Sequence, residues 1–192
     1  MADGKTASSN AIVETRSSFM FPWLHKRVVD AVRDQIDQVA FHNKGQDSEA
    51  HENYETYIMG KFTCNNDRCT KDAWSSKKVT IIIRRFADGG QGLGYNASVF
   101  NQRCKSCNTL GTFSINQNSY VERVAYRLRS WAGVEQERAP YNHTETSRPH
   151  REDLCEGCRK GHCQKSRLLK NGTRVCYGGR CHISRYGMKR WP

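Results

Sequence analysis

The sequence predicts an α+β fold: a small antiparallel β-sheet with two flanking helices, held together by clustered cysteines instead of a large apolar core. Three observations predict it. Apolar residues make up 36% of the chain and mean hydropathy is -0.82, so a core of ordinary size is hard to build. Nine cysteines are present, most of them in closely spaced pairs. Segments of alternating polarity surround those pairs, and two stretches of helical periodicity flank them.

Residues 1–19 are polar and are expected to be disordered. The next stretch, 20–41, predicts one amphipathic helix. Pro22 suits its first turn, and Phe21, Leu24, Val28, Val32, Ile36 and Val39 recur at helical spacing opposite Lys26, Arg27, Asp30, Arg33 and Asp37. Residues 42–53 read as a linker. YETYIMGKFTC reads as a strand entering the first cysteine pair. In KKVTIIIRRF, Val79, Ile81 and Ile83 alternate with Thr80 and Arg84, a strand with one buried face, although Ile82 breaks the pattern. ADGGQGLG is a turn, NASVFNQRCKSC a returning strand and LGTFSIN a further one. NSYVERVAYRLRSWAGV is the second helix. Ser119 and Glu122 form a capping box there, Val121, Val124, Ala125, Leu128 and Trp131 make the apolar stripe, and Gly133 ends it.

MADGKTASSN lacks the basic start and apolar run of a secretory leader, and no segment approaches the length of a membrane span. The chain is therefore expected inside the cell, in cytoplasm or nucleus. The sequons at Asn96, Asn142 and Asn171 then carry no glycan. In a reducing compartment, paired cysteines indicate metal in place of disulfides, and an odd cysteine count agrees.

The pairs are Cys64-x4-Cys69, Cys104-x2-Cys107, Cys155-x2-Cys158 and Cys176-x4-Cys181, with Cys163 alone. A short turn between two cysteines points both sulfurs at one ion, and a closed structural zinc site needs four such donors. The first two pairs stand at the start and end of the predicted hairpin, so Cys64, Cys69, Cys104 and Cys107 are expected to share one zinc. The remaining donors leave two arrangements open. His150, Cys155, Cys158 and Cys163 can close a site locally, with His162 able to replace His150 or Cys163. Alternatively, Cys155 and Cys158 join an earlier pair and clamp the domain shut on a single ion. One or two structural zinc ions are expected accordingly, each contributing about 10 kcal/mol or more to folding. Cys176 and Cys181 are expected to lie outside the main sites.

GKFTCNNDRC, AWSSKKV, FNQRCKSC, YVERVAYRL and HREDLCEGCRKGHC together resemble the 3CxxC-type zinc-binding domain, over about Tyr54 to Cys163. The chain looks most like the fungal proteins that carry this domain. The domain is shared with receptor-transporting proteins, which help odorant and taste receptors reach the cell surface, and more remotely with zygote arrest proteins, which bind messenger RNA. The resemblance implies zinc ligation by Cys64, Cys69, Cys104, Cys107, Cys155 and Cys158, with Cys163 and His150 as additions. Two features depart from the family pattern: the first pair is spaced x4, and the membrane-anchoring tail of receptor-transporting proteins is missing.

An enzyme is not expected. His143-Thr-Glu145 before Cys155-x2-Cys158 imitates a zinc-deaminase pattern, but the gap is short, no proline precedes Cys155, and the segment reads as a loop. No HExxH, phosphate-binding loop, dinucleotide fingerprint or nucleophile elbow occurs. The domain organisation expected is therefore a 54–163 zinc domain preceded by the 20–41 helix and followed by a 164–192 basic tail.

Net charge is +12, and the residues from Gly157 to the C-terminus hold ten Lys or Arg and no acidic residue. Everything before carries only +2. Two functions follow from this distribution. One is a protein-interaction or adaptor module, since the domain itself is nearly neutral. The alternative is RNA or DNA binding through the tail, with Lys165, Arg167, Lys170, Arg174, Arg180 and Arg185 on phosphates and Tyr177, Tyr186 and Trp191 stacking on bases.

Overall fold

The computed structural model describes residues 16–43, 49–70, 73–88, 92–136, 150–164, 174–177 and 180–183. Six strands form one sheet: β1 (Ser18–Met20), β2 (Val39–Phe41), β3 (Glu52–Cys64), β4 (Ala73–Asp88), β5 (Gly92–Phe100) and β6 (Gly111–Ile115). The order is β1-β5-β4-β3-β6, with β2 also alongside β5. All pairings are antiparallel except β2 with β5. Helices α1 (His25–Val32), α2 (Gln117–Trp131) and the single turn α3 (Glu156–Arg159) complete the domain, and β7 (Arg174–Tyr177) pairs with β8 (Arg180–Ile183) apart from it. The α+β class and the antiparallel sheet agree with the sequence.

Register explains which residues meet which layer. Ile58 lies opposite Val79, Thr56 opposite Ile81 and Tyr54 opposite Ile83, so these six share one face. That face is buried against Leu24 and Val28 of the α1 region and Tyr120, Val124 and Leu128 of α2. The intervening residues face the other way. Tyr57 opposes Thr80 and Glu55 opposes Ile82, and here the segment 150–164 packs. Thr80, Ile82 and Arg84 are buried, as are Val79, Ile81 and Ile83. The expectation of one buried face on β4 is thus corrected. Both faces are covered, and Ile82 breaks the alternation because its side is also interior.

Other boundaries differ from the sequence reading. The expected helix over 20–41 is divided among four elements: β1 reaches Met20, a 3-10 turn spans Pro22–Leu24 and α1 stops at Val32, after which Val39–Phe41 is strand β2. Leu24, Val28 and Val32 are buried, and Phe21, Ile36 and Val39 pack against the core. The apolar stripe faces the core as expected, but the backbone at Val39–Phe41 pairs with Leu93, Gly94 and Tyr95 of β5 and does not continue the helix. The strand at Ser18 likewise shortens the segment expected to be disordered, of which residues 1–15 lie outside the described residues. Of the 42–53 linker, residues 44–48 lie outside them too, and Glu52 already belongs to β3. α2 begins two residues before the expected cap. Asn116 is its N-cap, accepting from the Ser119 N–H at 2.9 Å. Ser119 is instead buried, and its hydroxyl donates to Asn116 O and accepts from Met59 N–H. Gly133 follows the helix with φ 73, as its expected terminating role requires.

Candidate metal centres

Strand β3 ends at Cys64, and a turn in which the Cys69 N–H donates to Asn66 O brings Cys69 back beside it. Beyond β5, Cys104 N–H donates to Thr109 O and Asn108 N–H to Cys104 O. This tight turn needs a left-handed residue, and Asn108 supplies it at φ 59, a conformation asparagine tolerates. Sulfurs then approach in pairs: Cys64 to Cys107 at 3.5 Å and Cys69 to Cys104 at 3.7 Å. All four donors lie within 4.8 Å of one another.

The second cluster is built locally. Cys155 is held against the sheet by a bridge to Gln102, α3 places Cys158 one turn later, and Gly161 at φ 78 turns the chain back to Cys163. Gly157 permits the docking, because a Cβ there would stand 2.6 Å from Thr80 Cβ. His150 Nε2 lies 3.2 Å from Cys158 Sγ and 3.5 Å from Cys163 Sγ. His150, Cys155, Cys158 and Cys163 again lie within 4.8 Å of one another. The hairpin pairs keep their own company, so the shared clamp is not the arrangement adopted. His162 is outside the cluster: it faces Glu55 at 3.3 Å and stacks on Phe100.

Both donor sets fit zinc. Tetrahedral bonds of about 2.3 Å to sulfur and 2.0 Å to nitrogen place neighbouring sulfurs about 3.8 Å apart and nitrogen about 3.5 Å from sulfur, close to the spacings here. Soft thiolates with one imidazole are the donors zinc takes in structural sites.

The surroundings tune the donors. Thr109 donates from its hydroxyl and its N–H to Cys107 and holds that thiol down at about 6. At Cys64 the largest influence, a hydrogen bond from the Asn66 backbone, favours the thiolate. Burial and the sulfurs of Cys107, Cys104 and Cys69 nevertheless push it up to about 12. His150 is raised to about 10 by hydrogen bonds to the Cys155 and Cys163 sulfurs. Cys158 is pushed up, and Cys163 down, by their hydrogen bonds to Cys155 and to each other. A metal ion replaces the protons these groups share.

A model of the Zn_ribbon_3CxxC zinc-binding domain matches residues 57–161. The chain belongs to this family. No curated protein and no solved structure matches it. In this 3CxxC-type zinc ribbon the x4 spacing of the first pair does not prevent convergence, since Asn66 closes the longer turn. Sequence reasoning missed the groups around the ligands. Tyr57 hydroxyl lies 3.3 Å from Cys163 Sγ, Thr80 Oγ1 3.5 Å from Cys155 Sγ, and Arg103 donates to Glu156. Only the position of Arg103 and Glu156 beside cysteines hinted at such a role. Of the residues expected to contact nucleic acid, Lys165, Arg167, Lys170 and Arg185 lie outside the described residues, as does His143-Thr-Glu145. The backbones of Arg174 and Arg180 lie in β7 and β8, at opposite ends of the strand pair.

Proposed function

We propose that this 3CxxC-type protein is a non-enzymatic module in which two structural zinc ions hold a surface that binds a protein partner. The closure of both donor sets carries the reading. Cys64, Cys69, Cys104 and Cys107 supply four ligands, and His150, Cys155, Cys158 and Cys163 four more, whereas a catalytic zinc keeps one position for water. Thiolates saturated by zinc are poor nucleophiles. Among the described residues no further group of three or more His, Cys, Asp or Glu side chains converges. The near-neutral charge before Gly157 favours a protein partner over a polyanion for the domain, taken as residues 54–163. The seven cysteines from Cys64 to Cys163, none of them in a disulfide, and the burial of the Asn96 sequon accord with a cytoplasmic or nuclear site of action.

The test is capture of partners by the tagged full chain, with nuclease and high salt in the wash. A protein recovered in stoichiometric amount by the wild type and lost with Cys104→Ser is the expected result. Recovery of nothing but nucleic acid before nuclease treatment argues for the second reading, in which the basic tail at 164–192 binds RNA or DNA. That reading is supported by the ten Lys and Arg from Gly157 onward, eight of them in the tail. It requires affinity that falls steeply with salt and drops on deletion of 164–192; binding indifferent to the deletion excludes it.

A further inference from the structure

A cleft of about 690 Å³ opens where the N-terminus of α2 meets β3 and β4, at the register shift between Ile58 and Gly60. Arg27, Lys61 and Lys77 stand around it, and Met59 and Ile115 give it an apolar part. Among the described residues no carboxylate lines it. Arg27 is held by two neutral acceptors, Gln117 Oε1 at 2.6 Å and Asn118 Oδ1 at 2.9 Å, so its charge is positioned without being cancelled. Met59 is 42% exposed, unusual for a large apolar side chain inside a cleft, and methionine adapts readily to a partner surface. None of these residues takes part in either metal centre.

We propose that the cleft is the docking site for an acidic segment of a partner protein, with carboxylates on Arg27, Lys61 and Lys77 and an apolar side chain against Met59 and Ile115. This rests on the protein-interaction reading above and names the chemistry of the partner. Charge complementarity selects an anionic occupant. The lining separates peptide from nucleic acid: single strands bind by stacking bases on aromatic rings, and no aromatic ring lines the cleft.

The experiment uses the zinc-loaded full chain and short fluorescein-labelled peptides, one of Glu and Leu and one with Lys in place of every Glu, read by anisotropy. The acidic peptide binds the wild type more tightly than its Lys counterpart. The exposed-strand double variant Lys61→Glu with Lys77→Glu weakens it by roughly tenfold or more, and Arg27→Gln, which keeps a hydrogen-bonding side chain, weakens it less. Unaltered zinc content and melting temperature establish that the variants are folded. Lys165→Gln with Lys170→Gln in the tail leaves the affinity unchanged. Equal affinity for the cleft double variant, loss on the tail variant alone, or displacement of the acidic peptide by oligothymidine overturns the proposal. A captured cellular protein that is retained by the cleft double variant also overturns it, while leaving the adaptor reading intact.

Discussion

Arg103 donates through Nε to Glu156 Oε1 at 2.6 Å, joining the residue before one zinc donor, Cys104, to the residue after another, Cys155. Backbone bonds run beside this ion pair: Arg103 N–H donates to Leu154 O and Glu156 N–H to Asn101 O. The Glu156 side chain is 6% exposed and that of Arg103 24%. The two metal centres therefore share a wall.

Removing Arg103 leaves the buried carboxylate, among the described residues, with the longer contact to Arg159, at 3.5 Å. Arg103→Ala is expected to cost about 2–3 kcal/mol, somewhat less than for a fully buried pair. Glu156→Gln, which leaves no orphan charge in the interior, costs less. Chemical denaturation checks the stabilities. Chelator-driven zinc release monitored with a chromogenic indicator should accelerate at both centres in Arg103→Ala; acceleration at one centre alone means they are independent.

Gly157→Ala forces a Cβ into Thr80, with Cβ, Cγ2 and Oγ1 all within 2.7 Å. Neither the sheet backbone nor the metal-held turn can give way cheaply, so a loss of about 1–3 kcal/mol is expected. Release of the second zinc should be faster, while the first is retained, because the added Cβ meets Thr80 and none of the first centre's donors. A variant as stable as the wild type means that 150–164 does not dock on β4 as described.

Zinc content gives a direct count. Elemental analysis of the purified chain should return two equivalents, and Cys158→Ser should return one. Cys104→Ser should unfold the domain, as its side chain is fully buried where both centres meet the sheet. Cys176→Ser, which the sequence reading sets outside the main sites, should be mild in a melting experiment.

Thiol reactivity tests the electrostatics. After brief chelation at pH 7, Cys107, at about 6, is mostly thiolate, whereas Cys64, at about 12, is protonated. Only the thiolate attacks iodoacetamide, so peptide mapping should find Cys107 alkylated before Cys64. Raising the pH toward 9 leaves the Cys107 rate nearly constant and increases that of Cys64. With zinc bound, both are protected.

Much of the ligand geometry was legible because metal donors announce themselves by type and spacing. Cys64, Cys69, Cys104 and Cys107 group as the hairpin reading expected, and the local option for His150 to Cys163 is the one adopted. The choice between local closure and the clamp was not legible, since it depends on the turn at Gly161 and on Cys155 pairing with Gln102, contacts that ligand spacing does not encode. Helical periodicity from Phe21 to Val39 misjudged the element while finding its buried side chains. An apolar stripe records which residues face a core, and a strand lying on the same core can continue it. Asn116 and Ser119 are both good caps; the bond from Met59 N–H to the Ser119 hydroxyl settles which one starts the helix, and that partner lies on a distant strand.

Strand β4 has helices on one side and the cysteine-rich turn on the other, and the two coverings are held by different forces. The helical side rests on Leu24, Val28, Val124 and Leu128, whose hold varies with temperature through the heat capacity of apolar hydration. The opposite side carries His150, Cys155, Cys158 and Cys163, a donor set that fits zinc, and its hold on an ion would follow the free concentration of the ion and of protons. Warming and chelation thus address different sides of the same strand.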